Sequence, residues 1–113
     1  MKLRNFTHRI MMYEENGETE LARFESEGMA RVVEKSGRVN WLEKELGYPC
    51  VRKIYTQIQG LPEPEPDTMY IVSLIVLQAA KNRSDIICPD TGPESCVRAA
   101  DGTIMGVRRF QVN

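Results

Sequence analysis

The C-terminal stretch CVRAADGTIMGVRRF, Cys96–Phe110, decides the fold class of this chain. Two runs compatible with β-strands, Cys96–Ala100 and Thr103–Phe110, are separated only by Asp101-Gly102. Asp-Gly accepts the positive φ angles that a type I′ turn demands, so the pattern predicts a hairpin with a two-residue loop. The chain is therefore expected to end in a pair of antiparallel strands.

Glycine spacing extends this interpretation toward the N-terminus. Glycines at positions 17, 28, 37, 47 and 60 divide the chain into segments of about ten residues, which is typical of short antiparallel strands. Alternation at the start predicts one strand with Phe6, His8, Ile10 and Met12 on a shared face. The turn Glu14–Glu18 then closes a hairpin. Further strands are predicted at Leu21–Phe24, Met29–Val33 and Cys50–Gln59.

The segment Val39–Leu46 fits two structures. Val39 and Trp41 suit a strand, whereas Leu42 and Leu46 have the spacing of a helical turn. Our interpretation favours a strand and leaves the helix open.

A proline-rich run, Gly60–Asp67, separates the two halves of the chain. Its three prolines fix φ and remove backbone donors, which predicts a stiff, extended loop, and a proline-motif ligand is the alternative. After it, Met69–Val72 is predicted to be a central strand. Ser73 is placed to cap a helix over about residues 74–82. Ile86-Ile87 begins another short strand.

These elements predict an α+β fold that is mainly β. We expect six to eight short antiparallel strands in a small barrel or a curled sheet, covered by one helix that precedes the C-terminal hairpin. Such a fold has edges to protect, so we also expect a homo-oligomer.

Length and composition limit the class of protein. The 113 residues predict a single domain, 1–113, and 15 Lys+Arg against 16 Asp+Glu give a net charge of −1, which does not favour extended nucleic acid. The longest apolar stretch, Tyr70–Ala80, is too short for a membrane span. The start lacks a secretory signal, so a cytoplasmic protein is expected. Three cysteines without a C-x-x-C pair predict reduced, buried thiols.

Catalytic and cofactor motifs are sparse. His8 is the only histidine, so no histidine-rich metal site is available, and a structural role is the default for it. A Cys–His nucleophile pair stays open, because spacing does not decide it. The glycines form no phosphate-binding motif, and the paired glutamates fall in turns or loops. We therefore expect neither a cofactor nor an enzymatic activity.

Arginines near predicted turns are the remaining chemical feature. Arg83 and Arg98 could grip phosphates with their guanidinium forks, beside an aromatic ring that stacks on a base. The alternative is a set of solvated arginines. Arg83 with Asp85 could also form a fixed pair that holds the loop after the helix.

Several motifs resemble those of a family of small, mostly uncharacterised proteins of bacteriophages and prophages. The opening Asn5-Phe6-Thr7-His8 is similar to that family's Asn-Leu-Thr-Pro-His. The further motifs, in the same order and spacing, are Gly60-Leu-Pro-Glu-Pro64, Thr68-Met-Tyr-Ile-Val-Ser73, Arg83-Ser-Asp-Ile86 with Pro89, and Val97-Arg98 leading to Asp101-Gly-Thr-Ile-Met-Gly106. The chain departs from the pattern in lacking the proline before His8 and in having Asp67 where glycine is usual. Nothing in the stretch 18–51 matches.

The resemblance implies a phage setting and brings no known active site. In that setting we expect a counter-defence protein that sequesters a nucleotide-derived immune signal without cleaving it. Arg83 and Arg98 would be phosphate forks, Tyr70 the stacking surface, and Thr7 and Ser73 hydrogen-bond donors. His8 and Asp85 complete the predicted ligand-binding set.

Two other functions remain open. One is a virion or morphogenesis accessory protein that works through protein–protein contacts. The other is an enzyme that degrades the signal, with His8 as general base. Tyr70 and Ser73 could equally be core and cap residues.

Overall fold

The structure is a computed structural model that describes all 113 residues. It contains ten short strands and two helices. The strands are β1 (Lys2–Asn5), β2 (Ile10–Tyr13), β3 (Glu20–Phe24), β4 (Arg31–Arg38), β5 (Val51–Gln59), β6 (Thr68–Ile71), β7 (Ile86–Pro89), β8 (Cys96–Arg98), β9 (Ile104–Val107) and β10 (Phe110–Gln111). The helices are α1 (Asn40–Leu46), between β4 and β5, and α2 (Leu74–Ala79), between β6 and β7.

The strands form three sheets, ordered β1-β6-β7-β10, β3-β2-β9-β8 and β4-β5. The central strand β6 explains how two of them pack. Tyr70 belongs to a core cluster with Val76 and Leu77 of α2, whereas the next residue, Ile71, belongs to a cluster with Ile10 of β2. Because successive side chains of a strand point to opposite faces, α2 covers one face of the first sheet and the second sheet covers the other. The body is thus a three-layer structure.

The predicted α+β, mainly β fold is confirmed, in its open, curled form, because no sheet closes into a barrel. Strands at Glu20–Phe24, Val51–Gln59 and Thr68–Ile71 lie close to their predicted positions. The expectation of antiparallel pairing throughout is wrong. Both β1 and β7 run parallel to β6, and α2 forms the crossover between β6 and β7 that parallel neighbours require.

The predicted strand through Phe6–Met12 is interrupted. β1 ends at Asn5 and β2 begins at Ile10, because the buried Asn5 side chain bonds to the turn between them. Its amide nitrogen donates to the carbonyl oxygen of His8 at 2.9 Å, and its oxygen accepts from the Thr7 N–H at 3.0 Å. The two strands consequently join different sheets.

The preference for a strand at Val39–Leu46 is wrong, since Asn40–Leu46 is α1. Gly47 ends this helix in the left-handed conformation, φ 79°, and its N–H donates to the Glu43 carbonyl oxygen at 2.8 Å. The helix after Ser73 is present but ends at Ala79, and the Ser73 side chain makes no capping hydrogen bond.

The C-terminal hairpin forms, with a different turn from the one predicted. Gly102 has φ 89°, but Asp101 does not have the positive φ that a type I′ turn needs. The N–H of Ala99 bonds to the carbonyl oxygen of Thr103, which leaves a three-residue loop. The Asp101 carboxylate accepts from the Thr103 N–H at 3.0 Å and stabilises this longer loop.

The third sheet projects from the body. Strands β4 and β5 with α1 at their tip form what we call the arm, Arg31–Gln59, and no residue of the arm is buried. The radius of gyration is 17.4 Å, against about 13 Å for a compact chain of this length. The molecule is accordingly elongated, with extents of 53 × 39 × 21 Å.

Candidate functional site

Tyr70 lies in the core. Its side chain is fully buried, its ring meets the edge of Phe6 at a centroid distance of 5.7 Å, and its hydroxyl donates to the carbonyl oxygen of Glu63 at 3.0 Å. The ring offers no face to a ligand in this conformation. Its hydroxyl instead fastens the proline-rich loop to the central strand.

Arg83 and Asp85 form the fixed pair that the sequence suggested. Two guanidinium nitrogens of Arg83 donate to the two carboxylate oxygens of Asp85 at 2.7 and 2.8 Å. This hydrogen-bonded guanidinium lowers the pKa of Asp85. Arg83 also donates to the carbonyl oxygen of Pro62 at 3.0 Å and lies 6.0 Å from the centre of the Tyr70 ring. The pair therefore ties the end of α2 to the proline-rich loop.

The other predicted ligand-binding residues are dispersed. Thr7 is buried in the turn held by Asn5, whereas His8 is exposed and its ring makes no hydrogen bond. Ser73 is partly buried beside α2. Arg98 lies on β8 in the second sheet and donates to the carbonyl oxygen of Gly102 at 2.7 Å, across its own hairpin.

The structure thus brings together Tyr70, Arg83 and Asp85 but not all seven residues. Of the seven, only Arg83 lines one of the five main surface depressions. Cys88 and Cys96 are buried, and burial raises the pKa of the Cys88 thiol, while Cys50 is partly exposed. The predicted burial is therefore confirmed for two of the three cysteines.

The most unusual surface is the arm. An ordinary two-stranded ribbon with one short helix has no core of its own and is marginally stable when isolated. The arm nevertheless exposes six large apolar side chains to between 47% and 73%. They are Trp41, Leu46, Tyr48, Val51, Ile54 and Tyr55. In the sequence, Trp41 is only a secondary-structure signal, and no local pattern indicates that it lies at an exposed tip.

The two faces of the ribbon differ in charge. Lys35 pairs with Ile54, and Gly37 pairs with Arg52, so by alternation Lys35, Ile54 and Arg52 share one face. Neither Lys35 nor Arg52 forms an ion pair. We call Lys35, Arg52 and Ile54 with the adjacent Trp41 the basic face of the arm.

Two other cations of the arm are paired locally. Lys53 lies 3.5 Å from a carboxylate oxygen of Glu34, and Arg38 at the tip binds Glu43 through two nitrogens. The Arg38 guanidinium lowers the pKa of Glu43 through these hydrogen bonds. Arg31 and Lys44 form no ion pair either, so the arm has four unpaired cations, two of which, Lys35 and Arg52, share the basic face.

A depression of about 440 Å³ lies beside the basic face at the tip. Trp41, Arg52 and Ile54 line it together with Arg38, which is already bound to Glu43. An indole and a free guanidinium at one place can contact an aromatic ring and an anion. The depression lies on the arm and is distinct from the Tyr70–Arg83–Asp85 cluster.

No family model, curated protein or solved structure matches this chain. Neither helix is long and apolar enough to cross a membrane. No group of three or more His, Cys, Asp or Glu side chains is arranged to hold a metal ion. The surface of the arm is therefore the main basis for a functional proposal.

Proposed function

We propose that this chain is a non-enzymatic assembly protein that binds another protein through the arm. One observation carries the proposal: the 29 residues of the arm include none that is buried, yet six of them are large and apolar and largely exposed. An exposed apolar patch of this kind on a small protein marks an interaction site. Tryptophan and tyrosine, which are prominent here, dominate the binding energy of protein interfaces.

Most of the arm lies outside the core of the body, which supports an intermolecular role. Both core clusters consist of residues outside the arm, and only Val32 and Ile58 at its base pack against one of them. The exposed apolar side chains nearer the tip belong to neither core cluster, so a role outside the core of this chain would explain them. Contact with a partner would bury their apolar surface, at about 25 cal/mol per Å² removed from water.

The resemblance to phage proteins supports a virion or morphogenesis role for such an assembly protein. Asp67 strengthens the resemblance, since it has φ 54° and occupies the position where that family usually has glycine. Positive φ is the conformation that favours glycine. The local backbone therefore agrees with the family's pattern even though the residue differs.

The test compares an arm variant with a matched body variant. Trp41→Ala/Tyr48→Ala removes two exposed side chains of the arm, and Leu21→Ala removes an exposed apolar side chain of the body. A partner identified by affinity capture is purified and its affinity for each variant is measured. We expect at least a tenfold loss for the arm variant and no change for Leu21→Ala. Equal binding by the arm variant would refute the proposal.

A second candidate is the nucleotide-sequestering function, and the depression at the arm tip favours it. Trp41 could stack on a base and Arg52 could bind a phosphate. High-affinity sites usually enclose most of a small ligand, however, and this depression lies on an open arm. The protein-binding function is accordingly preferred.

Thermal melting with cyclic dinucleotides and ADP-ribose-derived nucleotides tests the second candidate. A ligand at 100 times its Kd stabilises the fold by about 2.7 kcal/mol, which raises the Tm by several degrees. Sequestration predicts that Arg52→Ala abolishes the shift and that the nucleotide is recovered unchanged. Loss of the shift with Arg83→Ala instead would locate the ligand at the cluster predicted from the sequence. If none of these nucleotides raises the Tm, they are ruled out as ligands.

A further inference from the structure

Charge is distributed unevenly between the arm and the body. The arm holds six Lys or Arg and three Asp or Glu, a net charge of +3, whereas the rest of the chain holds nine and thirteen, a net charge of −4. The overall charge of −1 hides this separation. Opposite charges on two parts of one molecule favour association between copies when the parts are kept apart within each copy.

Carboxylates outnumber cations where the proline-rich loop passes beside β1. Arg4 is shared by Glu27, at 3.1 Å, and Glu65, at 3.4 Å. Glu63 and Asp67 are exposed on the same proline-rich loop as Glu65, and Asp67 binds the N-terminal ammonium at 3.3 Å. Glu27, Glu65 and Asp67 thus share Arg4 and the N-terminus, whereas Glu63 lies near Arg83, which is already bound to Asp85. We call Glu27, Glu63, Glu65 and Asp67 the acidic patch.

The arm of one copy holds its basic face away from its own acidic patch. Arg52 precedes the end of β5 at Gln59 by seven residues, which is about 24 Å of extended strand. The proline-rich loop begins only where β5 ends. The β4-β5 pairing runs from Arg31 opposite Gln59 to Arg38 opposite Val51, with one irregularity between Val33 and Glu34, so Arg52 lies near the tip of the ribbon and the proline-rich loop follows its base.

We propose that the basic face of the arm binds the acidic patch of a second copy of this chain. Lys35 and Arg52 would pair with Glu63 and Glu65, while Trp41 and Ile54 bury apolar surface beside them. This inference rests on the proposed function, because it takes the arm as the binding element. It adds the identity of the partner, which is a second copy of the chain. The two surfaces differ, so the contact is heterologous and extends into a ring or a filament.

A second copy fits this face better than a nucleic acid does. Only two unpaired cations lie on it, next to Trp41 and Ile54, and the chain as a whole is acidic, with a pI of about 5.9. Nucleic-acid binding normally relies on a larger excess of Lys and Arg. The proline-rich loop, in contrast, presents carboxylates on a backbone with little conformational freedom to lose.

Complementary charge reversal tests the proposal by sedimentation velocity. The arm variant is Lys35→Glu/Arg52→Glu and the patch variant is Glu63→Lys/Glu65→Lys; all four positions are exposed. We expect the unaltered chain to self-associate, more weakly at high salt, and each variant alone to associate at least about tenfold more weakly. Arg9→Glu/Lys81→Glu, with the same change in charge as the arm variant, should associate normally.

Mixing the two variants gives the decisive result. The arm variant keeps its patch, the patch variant keeps its arm, and the reversed arm and reversed patch are again opposite in charge. A mixture should therefore associate more strongly than either variant alone. Circular dichroism of each variant checks that it is folded. A mixture of folded variants that stays monomeric, or a variant that associates like the unaltered chain, would overturn the proposal.

Two further outcomes separate this inference from the proposed function. An unaltered chain that stays monomeric at all concentrations overturns self-assembly, while loss of a captured partner by Trp41→Ala/Tyr48→Ala would still support the arm as a binding element. Binding of a labelled oligonucleotide that Lys35→Glu/Arg52→Glu abolishes would also overturn the inference, in favour of nucleic acid.

Discussion

Asp85→Asn tests whether the pair it forms with Arg83 is structural. The substitution keeps the shape of the side chain but removes the charge that holds the Arg83 guanidinium at 2.7 and 2.8 Å. The two side chains are only 17% and 21% exposed, so neither is fully solvated when the pair is lost. Arg83 would keep its hydrogen bond to the Pro62 carbonyl oxygen but would lose the carboxylate that fixes its guanidinium in place.

The expected loss of stability is about 1–2 kcal/mol. A hydrogen bond to a charged group contributes about 1.5–3 kcal/mol, and partial exposure to solvent reduces that contribution. For a domain of this length, 1 kcal/mol corresponds to about 4 °C in Tm. We therefore expect Asp85→Asn to melt about 4–8 °C below the unaltered protein at pH 7.

The pH dependence distinguishes an ion pair from a packing effect. The Arg83 hydrogen bonds hold the pKa of Asp85 below its usual value of 3.8 in the folded state, so the pair stabilises the fold above that value. This stabilisation is lost as the pH falls through the lower, folded pKa. Melting both proteins at pH 7 and in the acid range should show their Tm difference shrinking toward zero. An unchanged difference at acid pH would refute the ion-pair explanation.

Three other variants or reagents test separate parts of the structure. Gly60→Ala should destabilise the fold by about 2 kcal/mol or more, measured by urea denaturation, because Gly60 has φ 81° and a new Cβ would lie 2.5 Å from the Met29 carbonyl oxygen; a loss below 0.5 kcal/mol would contradict this. A thiol-specific reagent should label Cys50 first, since Cys88 is fully buried and its thiol pKa is raised by burial; equal labelling rates in the native protein would show that the core opens. Trp41→Ala should change the Tm by less than about 2 °C, because the helix α1 has no buried residue; a large drop would mean that the tip supports the body.

Local patterns predicted individual elements better than their arrangement. The alternation of Cys50–Gln59 correctly indicated β5, and the glycines marked real turns at Gly17 and Gly47. Parallel pairing of β1 with β6 could not be predicted, because it joins segments more than 60 residues apart and leaves no local signature. No local signal marked the role of Asn5, although its amide determines where β1 ends.

The chemical properties of single residues were also easier to predict than their assembly. The sequence suggested that Arg83 and Asp85 could pair, and they do. It did not indicate that the Tyr70 hydroxyl would bind the Glu63 carbonyl oxygen in the core, since that contact depends on the path of the proline-rich loop. The exposure of the tip of the arm could not be predicted either. It arises because no other segment of the chain packs against the tip, and a local sequence pattern does not indicate that.

Trp41 fluorescence tests the central claim most directly, because Trp41 is the only tryptophan and lies at the tip of the arm, 66% exposed. Its emission maximum and its quenching by iodide are measured across a dilution series of the intact protein, with sedimentation recorded in parallel. We predict emission typical of a solvated indole in dilute protein, and a blue shift with reduced quenching as copies associate. Association without any change in Trp41 emission, or a shielded Trp41 in the dilute monomer, would contradict the claim that the arm is the binding surface.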